Sequence, residues 1–463
     1  MKFGTGLSPF LPVTLLVLAG LSGCGGGATP ATGQAPAPSS GKTSTSSQQA
    51  FTLSVTPASP TKVSMAWQGA TASGDSYQVY RNGELDTSVA TDGKTAADEG
   101  LAPDTQYCYQ VTVVNADGAG TASSNQSCVT TAPLAGWNIQ RITTAPPLSL
   151  ALDPQGHQRL AFCGATGVFY QAQQGDSSWS TVQVEGGVDC YTALLAVGGD
   201  GSNHIVYLDE NTDTLRYATD ASGSWSISSV DGADGAEFYQ LALDSGNHVH
   251  LAYRLFTGQA GACFQLVYET NASGAWQSTV VADTDAYPVI AVDGAGAAHI
   301  AYLDGTAVNG SYPVHYLTDA SGAWTDGVVA SSADPKSLLA IAVGPAGHAR
   351  LVYKSEASLE YASNVSGAWQ TNTVDGFNPD GPEIDKYGAY DVSIALDSAG
   401  QPHMSYEDAT GNLKYATPGL DGWNTSYVDT EGTQNEIRMD AAGHAHIVYG
   451  NADNLYSKLA VSP

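Results

Sequence analysis

The 463-residue chain carries 45 acidic and 16 basic side chains, a formal net charge of −29, and only 13% charged residues, against 52 glycines and 24 tyrosines. That acid excess excludes a nucleic-acid binder, since a polyanion needs a Lys/Arg footprint, and equally excludes electrostatic docking on anionic lipid. Abundant Gly, Ser, Thr and Tyr with few Lys and Glu suit short strands joined by tight turns, so the expected class is all-β.

Lys2 precedes an apolar run from Phe10 to Leu21. The run is too short to span a bilayer comfortably and predicts a secretory signal peptide over residues 1–23. It ends in Leu21-Ser22-Gly23-Cys24, which resembles a bacterial lipobox. The resemblance implies cleavage before Cys24 and attachment of diacylglycerol to its sulfur. Two or more acyl chains anchor stably, so the membrane is expected as a partner only through this lipid. Gly25, rather than Asp, resembles the outer-membrane pattern of Gram-negative lipoproteins. The expected location is therefore the bacterial cell envelope, at the outer membrane or cell surface. Residues 25–50 are Gly, Ala, Pro, Ser, Thr and Gln around one charge, Lys42, and predict a disordered tether over 24–50.

Residues 51–133 alternate as strands do. Val63, Met65 and Trp67 share one face, and Tyr77 and Val79 lead into the turn at Asn82-Gly83. With Trp67 and the stretch Leu101-Ala102-Pro103-Asp104-Thr105-Gln106-Tyr107, this segment resembles a fibronectin type III domain, a β-sandwich with a tyrosine corner. Cys108 and Cys128 depart from that pattern. They lie where the last two strands are neighbours, and an exported protein favours pairing them.

From residue 136 onward the chain repeats itself. Turns start at Asp153, Gly198, Asp244, Asp293, Gly344, Asp397 and Asp440. Three residues on stands a Gly, or Asn247, suited to a left-handed turn. Six residues on stand Arg159, His204, His250, His299, Arg350, His403 and His446, and a Phe or Tyr follows three later. A second hairpin carries Tyr170/Trp179, Tyr217/Trp225, Tyr268/Trp276, Tyr316/Trp324, Tyr361/Trp369 and Tyr415/Trp423. Trp137 has no Tyr before it, and Tyr456 is expected as the seventh Tyr, with no Trp after it. These complementary half-repeats predict a seven-bladed β-propeller over residues 136–463, closed by pairing its two ends. The motifs "D-x-x-G-x-x-H-[IL]-x-Y" and "L-x-Y-A-T" resemble the sialidase-like, BNR-type propeller superfamily, although the Trp of a true Asp-box belongs here to another hairpin.

All ten His fall in this region, but five of them share one strand register, spread around the ring where they cannot converge on an ion. No metal site and no cofactor are expected. Cys163 and Cys190 fall on one face and predict a disulfide; with Cys263 in a long blade-three loop, one of the three must remain unpaired within the domain. Six repeats place Ala two residues before the turn; the seventh places Arg438, beside Glu436. On the face carrying the blade-to-blade connections stand Tyr191, Tyr239, Tyr287, Tyr387 and Tyr390. Asp209, Asp304, Glu407 and Asp408 follow the second strands. Aromatic faces with carboxylates hold sugar rings and their hydroxyls. The expected ligand set is Tyr191, Tyr239, Tyr287, Tyr390, Asp209, Asp304, Asp408 and Arg438. The Arg residues are scattered, so no sialidase centre and no catalytic residue are assigned. The expectation is a monomeric surface protein that recognises a glycan or surface protein without catalysis. A propeller polysaccharide lyase or glycoside hydrolase, and an envelope scaffold, are the alternatives.

Overall fold

The structure, a computed structural model, describes residues 51–463 except 61, 69–75, 90–93, 100, 102–104, 116–119, 133–135, 144–147, 176–177, 260–261, 305–311, 333–338, 356–357, 377–391, 409–410, 421 and 451–456. The signal peptide, Cys24, the tether, Tyr387, Tyr390 and Tyr456 lie outside the described residues. Every regular element among the described residues is a strand, in line with the composition.

Residues 52–130 form a three-stranded and a five-stranded antiparallel sheet around one core. Alternation decides which side chains enter it. Val63, Met65 and Trp67 come from one sheet, and Tyr77, Val79, Tyr109 and Val111 from the other, all at most 2% exposed. Cys108 and Cys128 stand opposite each other in register and are joined by a disulfide.

Seven four-stranded antiparallel sheets follow among the described residues. Six use four consecutive strands. The seventh takes Thr433–Met439, Ala445–Gly450 and Ser457–Val461 from the end of the chain, and its fourth strand, Asn138–Thr143, from the start of the repeat region. Val461 pairs with Asn138 and Ala460 with Ile139. The first strands of the sheets are Leu148–Leu152, Ala193–Val197, Ala236–Leu243, Ala286–Val292, Leu339–Val343, Val392–Leu396 and Thr433–Met439. Each adjoins the next, and the last adjoins the first. This radial order is that of a β-propeller, in which neighbouring sheets cover each other's faces. The second strands are consequently buried on both faces. Ile205, Val206 and Tyr207 have no exposure, which explains their unbroken apolar run.

The repeated turns are built as their spacing predicts. Oδ1 of Asp153, Asp244, Asp293, Asp397 and Asp440 accepts hydrogen bonds from the backbone N–H groups two and four residues on, at 2.8–2.9 Å. Gly156, Gly201, Asn247, Gly296, Gly347, Gly400 and Gly443 all take positive φ, between 63° and 93°.

Each Tyr of the second hairpin meets, edge to face, the Trp of the next sheet rather than the Trp of its own hairpin. The pairs are Tyr170–Trp225, Tyr217–Trp276, Tyr268–Trp324, Tyr316–Trp369, Tyr361–Trp423 and Tyr415–Trp137, with ring centroids 4.9–5.6 Å apart. Trp137 thus fills in the seventh sheet the place that Trp423 fills in the sixth. One sequence expectation needs correction: Tyr456 does not take the place of the seventh third-strand Tyr. Tyr217 stands opposite Val206, and the corresponding partner of Val448 is Leu459, not Tyr456.

Ionic clasps join three pairs of sheets. Tyr207 donates to Glu185 of the preceding sheet, which also holds Arg216. Tyr406 and Lys414 share Asp375 in the same way, and Tyr449 and Lys458 share Asp429. In these three sheets the second-strand Tyr therefore ties one sheet to the sheet before it, whereas Tyr253 and Tyr302 donate to Glu269 and Asp326 of their own sheets. Cys163 and Cys190 are disulfide-bonded, and Cys263 is free and exposed.

Candidate functional site

The register histidines are pegs. Nδ1 of His204, His250, His299 and His403 lies 2.5–2.7 Å from the hydroxyl of Tyr217, Tyr268, Tyr316 and Tyr415. Where Leu459 replaces the Tyr, His446 Nδ1 meets Gln158 Nε2 of the first sheet instead, at 2.8 Å. Burial holds His204, His250, His299 and His446 below the usual histidine pKa. Burial alone raises the carboxyls of the five turn aspartates. Hydrogen bonds from the backbone and from basic neighbours outweigh it and hold them low, Asp440 at about 2. Among the described residues no group of three or more His, Cys, Asp or Glu is placed to hold a metal.

The end of the sheets where the first strands begin is chemically richer. A cavity of about 330 Å³ lies on the axis there, and each of the seven first strands contributes to its wall. Thr192, Gln240, Ser393, Asn435, Glu436 and Arg438 give it polar groups. Arg438 is paired with Glu436, whose other oxygen accepts the Leu150 N–H at 2.6 Å. The Arg that breaks the Ala pattern thus takes part in stitching the seventh sheet to the first, and it still lines the cavity.

At the same end, four strands of the third and fourth sheets bring rings around Arg254. Its guanidinium carbon lies 4.5 Å from the Phe238 ring centre, 4.4 Å from Phe264 and 5.3 Å from Tyr287. Glu237 and Asp285 pair with the same guanidinium. Phe238 and Tyr287 pack edge to face at 4.5 Å, and Phe256 packs on Phe264 at 5.3 Å. Phe238 is 48% exposed and Phe256 56%. A bulge between Glu237 and Gln240 carries Phe238 at φ +51°. That conformation costs a bulky residue about 1–2 kcal/mol, a cost that marks strained functional segments.

Of the expected ligand set, the structure brings only part together. Tyr287 joins the ring cluster. Asp304 stands opposite Ala286, next to it, and accepts the Thr284 hydroxyl at 2.9 Å. Tyr191 is 65% exposed beside Thr192 at the axial cavity, and Arg438 lines that cavity. Tyr239 is on a strand rather than a connection. Its hydroxyl donates to Thr192 O at 2.6 Å and accepts the Leu208 N–H at 3.1 Å, so it serves as a peg between sheets. Asp209 and Asp408 are buried and cap their own turns, through Asn211 and Thr212, and through Asn412. Arg254, Phe238, Phe256 and Phe264 were not singled out from the sequence. The available signal was the crowding of three of the chain's nine Phe into residues 238–264.

No protein-family model and no curated protein matches the chain. Among solved structures it is similar to AofleA from Arthrobotrys oligospora, at 15% identity over 65% of this chain and 91% of that one, with a TM-score of 0.43. It is similar to an auxiliary nutrient binding protein from Bacteroides thetaiotaomicron, at 12% identity over 90% and 98%, TM-score 0.41. It is also similar to the polysaccharide lyase Uly1, at 11% identity over 68% and 89%, TM-score 0.45.

Proposed function

We propose that the chain is an exported bacterial lipoprotein, anchored through Cys24, in which a tether and a fibronectin type III module present a closed seven-bladed propeller at the cell surface. Its domains are the signal peptide 1–23, the tether 24–50, the module 51–133 and the propeller 136–463. The propeller binds glycan, as a monomer and without turning it over, at the end of the sheets that carries the axial cavity and the Arg254 cluster.

The observation that carries this reading is the set of exposed rings fixed around Arg254. Sugar rings present C–H faces that stack on aromatic side chains, and carboxylates accept their hydroxyls. Phe238, Phe256 and Tyr287 supply the faces, and Glu237, Asp285 and Asp304 stand among them. The same geometry disfavours hydrolysis. A glycosidase needs one carboxylic acid to give a proton and a second carboxylate to act on the sugar. Glu237 and Asp285 are instead both committed to one guanidinium.

The test is a glycan array probed with the full chain, followed by mass analysis of the bound sugar. Wild type retains a glycan unchanged, and the double variant Phe238→Ala, Tyr287→Ala loses most of that signal while unfolding at the same temperature. Shortened or unsaturated sugar would establish an enzyme. No glycan signal, with a protein crosslinked to the same rings, would establish a scaffold.

A further inference from the structure

The opposite end of the sheets carries a second candidate. In the first, third, fourth, sixth and seventh sheets the base six residues after the turn start faces the turn aspartate. Arg159, His250, His299, His403 and His446 lie 2.5–3.5 Å from Asp153, Asp244, Asp293, Asp397 and Asp440. In the second sheet Asp200 reaches His204 through the Ser202 hydroxyl. His157, His248 and His444 lean on the same aspartates. The fifth sheet keeps both bases, His348 and Arg350, but its turn starts with Gly344. Among the described residues neither base has a carboxylate partner; Arg350 donates only to the His348 carbonyl, at 3.3 Å.

Arg350 opens into a groove of about 530 Å³ between the fifth and sixth sheets. The Tyr361–Trp423 ring pair forms one wall, and Ser363, Asn372 and Gln401 add hydroxyl and amide groups. In a chain of net charge −29, a guanidinium without a carboxylate beside a ring and hydrogen-bonding side chains is a place for an anion. We infer that this groove binds an anionic saccharide, a sugar ring lying on Trp423 with its carboxylate or sulfate on Arg350. The site uses none of the residues of the glycan reading above and stands or falls separately from it.

Gly344 provides the sharpest test. Its φ is not left-handed, and a Cβ there lies 3.4 Å from Arg350 Nη1, so Gly344→Asp installs the turn-start carboxylate that five of the other sheets have. Binding of a trigalacturonate, a sulfated galactose trisaccharide and a neutral galactose trisaccharide is measured on the full chain by calorimetry. One of the two acidic sugars binds at least about tenfold more tightly than the neutral one, and which one does identifies the anion. Gly344→Asp, Arg350→Gln and Arg350→His each remove about tenfold or more, the share of one charge-assisted contact. Phe238→Ala with Tyr287→Ala leaves this binding unchanged. Arg350→His installs the residue of five sibling sheets and guards against misfolding. Equal affinity for acidic and neutral sugars, no binding of either acidic sugar, or wild-type affinity in the folded Arg350 variants overturns the inference.

Discussion

Trp137→Ala separates a ring from an open row of sheets. Trp137 opens the repeat region, yet it packs edge to face on Tyr415 at 5.2 Å and against the core that holds Leu413, Ile437, Ile447 and Ala460. Truncating a fully buried aromatic costs about 3–5 kcal/mol. Trp137 is half-buried, so about half of that applies, and the lost ring pair adds about 1 kcal/mol. The expected loss is about 2–4 kcal/mol. Trp225→Ala, at the equivalent place in the second sheet, has a similar ring contact at 5.4 Å and serves as the internal standard. Chemical denaturation of the full chain, followed by tryptophan fluorescence and circular dichroism, reads both. The two variants fall within about 1 kcal/mol of each other if Trp137 sits inside a closed circle. A loss below about 0.5 kcal/mol for Trp137→Ala, the level of an ordinary surface change, would refute the reasoning.

Stability falls with acid. Four buried histidines have depressed native pKa values, so the unfolded chain binds more protons than the fold once the pH drops below about 6.5. Their contribution is complete above that pH and is lost as the pH falls toward their native values. The turn aspartates add a loss in the same direction below their usual 3.8. Glu269, buried and pushed up to about 7, acts the other way between about 4.5 and 7. At high salt, which screens the net charge, the denaturation midpoint is lower at pH 5 than at pH 7.5, and Glu269→Gln steepens the difference; a midpoint that rises with acid contradicts this balance. Replacing Cys163 and Cys190 by Ser removes a crosslink spanning 27 residues and costs about 2–4 kcal/mol. Cys263→Ser, at an exposed thiol, leaves the same transition unmoved.

The fold was legible because its signals are local. An Asp or Gly, a left-handed residue and a base at fixed spacing define one turn, and seven copies define the repeat. The half-repeats at the two ends disclosed their pairing for the same reason. Spacing alone does not tell whether Tyr170 meets Trp179 of its own hairpin or Trp225 of the next sheet, since both repeat with the same period. Matching Tyr456 by residue type instead of by strand register hid Leu459 from view. The Arg254 cluster was illegible for a different reason. Its residues come from four strands, and a bulge turns Phe238 out at a φ no pattern signals. Tyr239 shows the converse, a tyrosine in a suitable segment whose hydroxyl is spent on backbone.

A crosslink between the two ends of the repeat region is the most direct trial of the circular architecture. Asn138 and Val461 stand opposite each other in the seventh sheet, where paired Cβ atoms lie about 4.5–5.5 Å apart. In a Cys263→Ser background, Asn138→Cys with Val461→Cys forms a disulfide on mild oxidation, seen by mass spectrometry as one linked peptide pair beyond Cys108–Cys128 and Cys163–Cys190, and raises the unfolding temperature. Two free thiols after oxidation of the folded protein, or a linkage between molecules only, would contradict the closed ring.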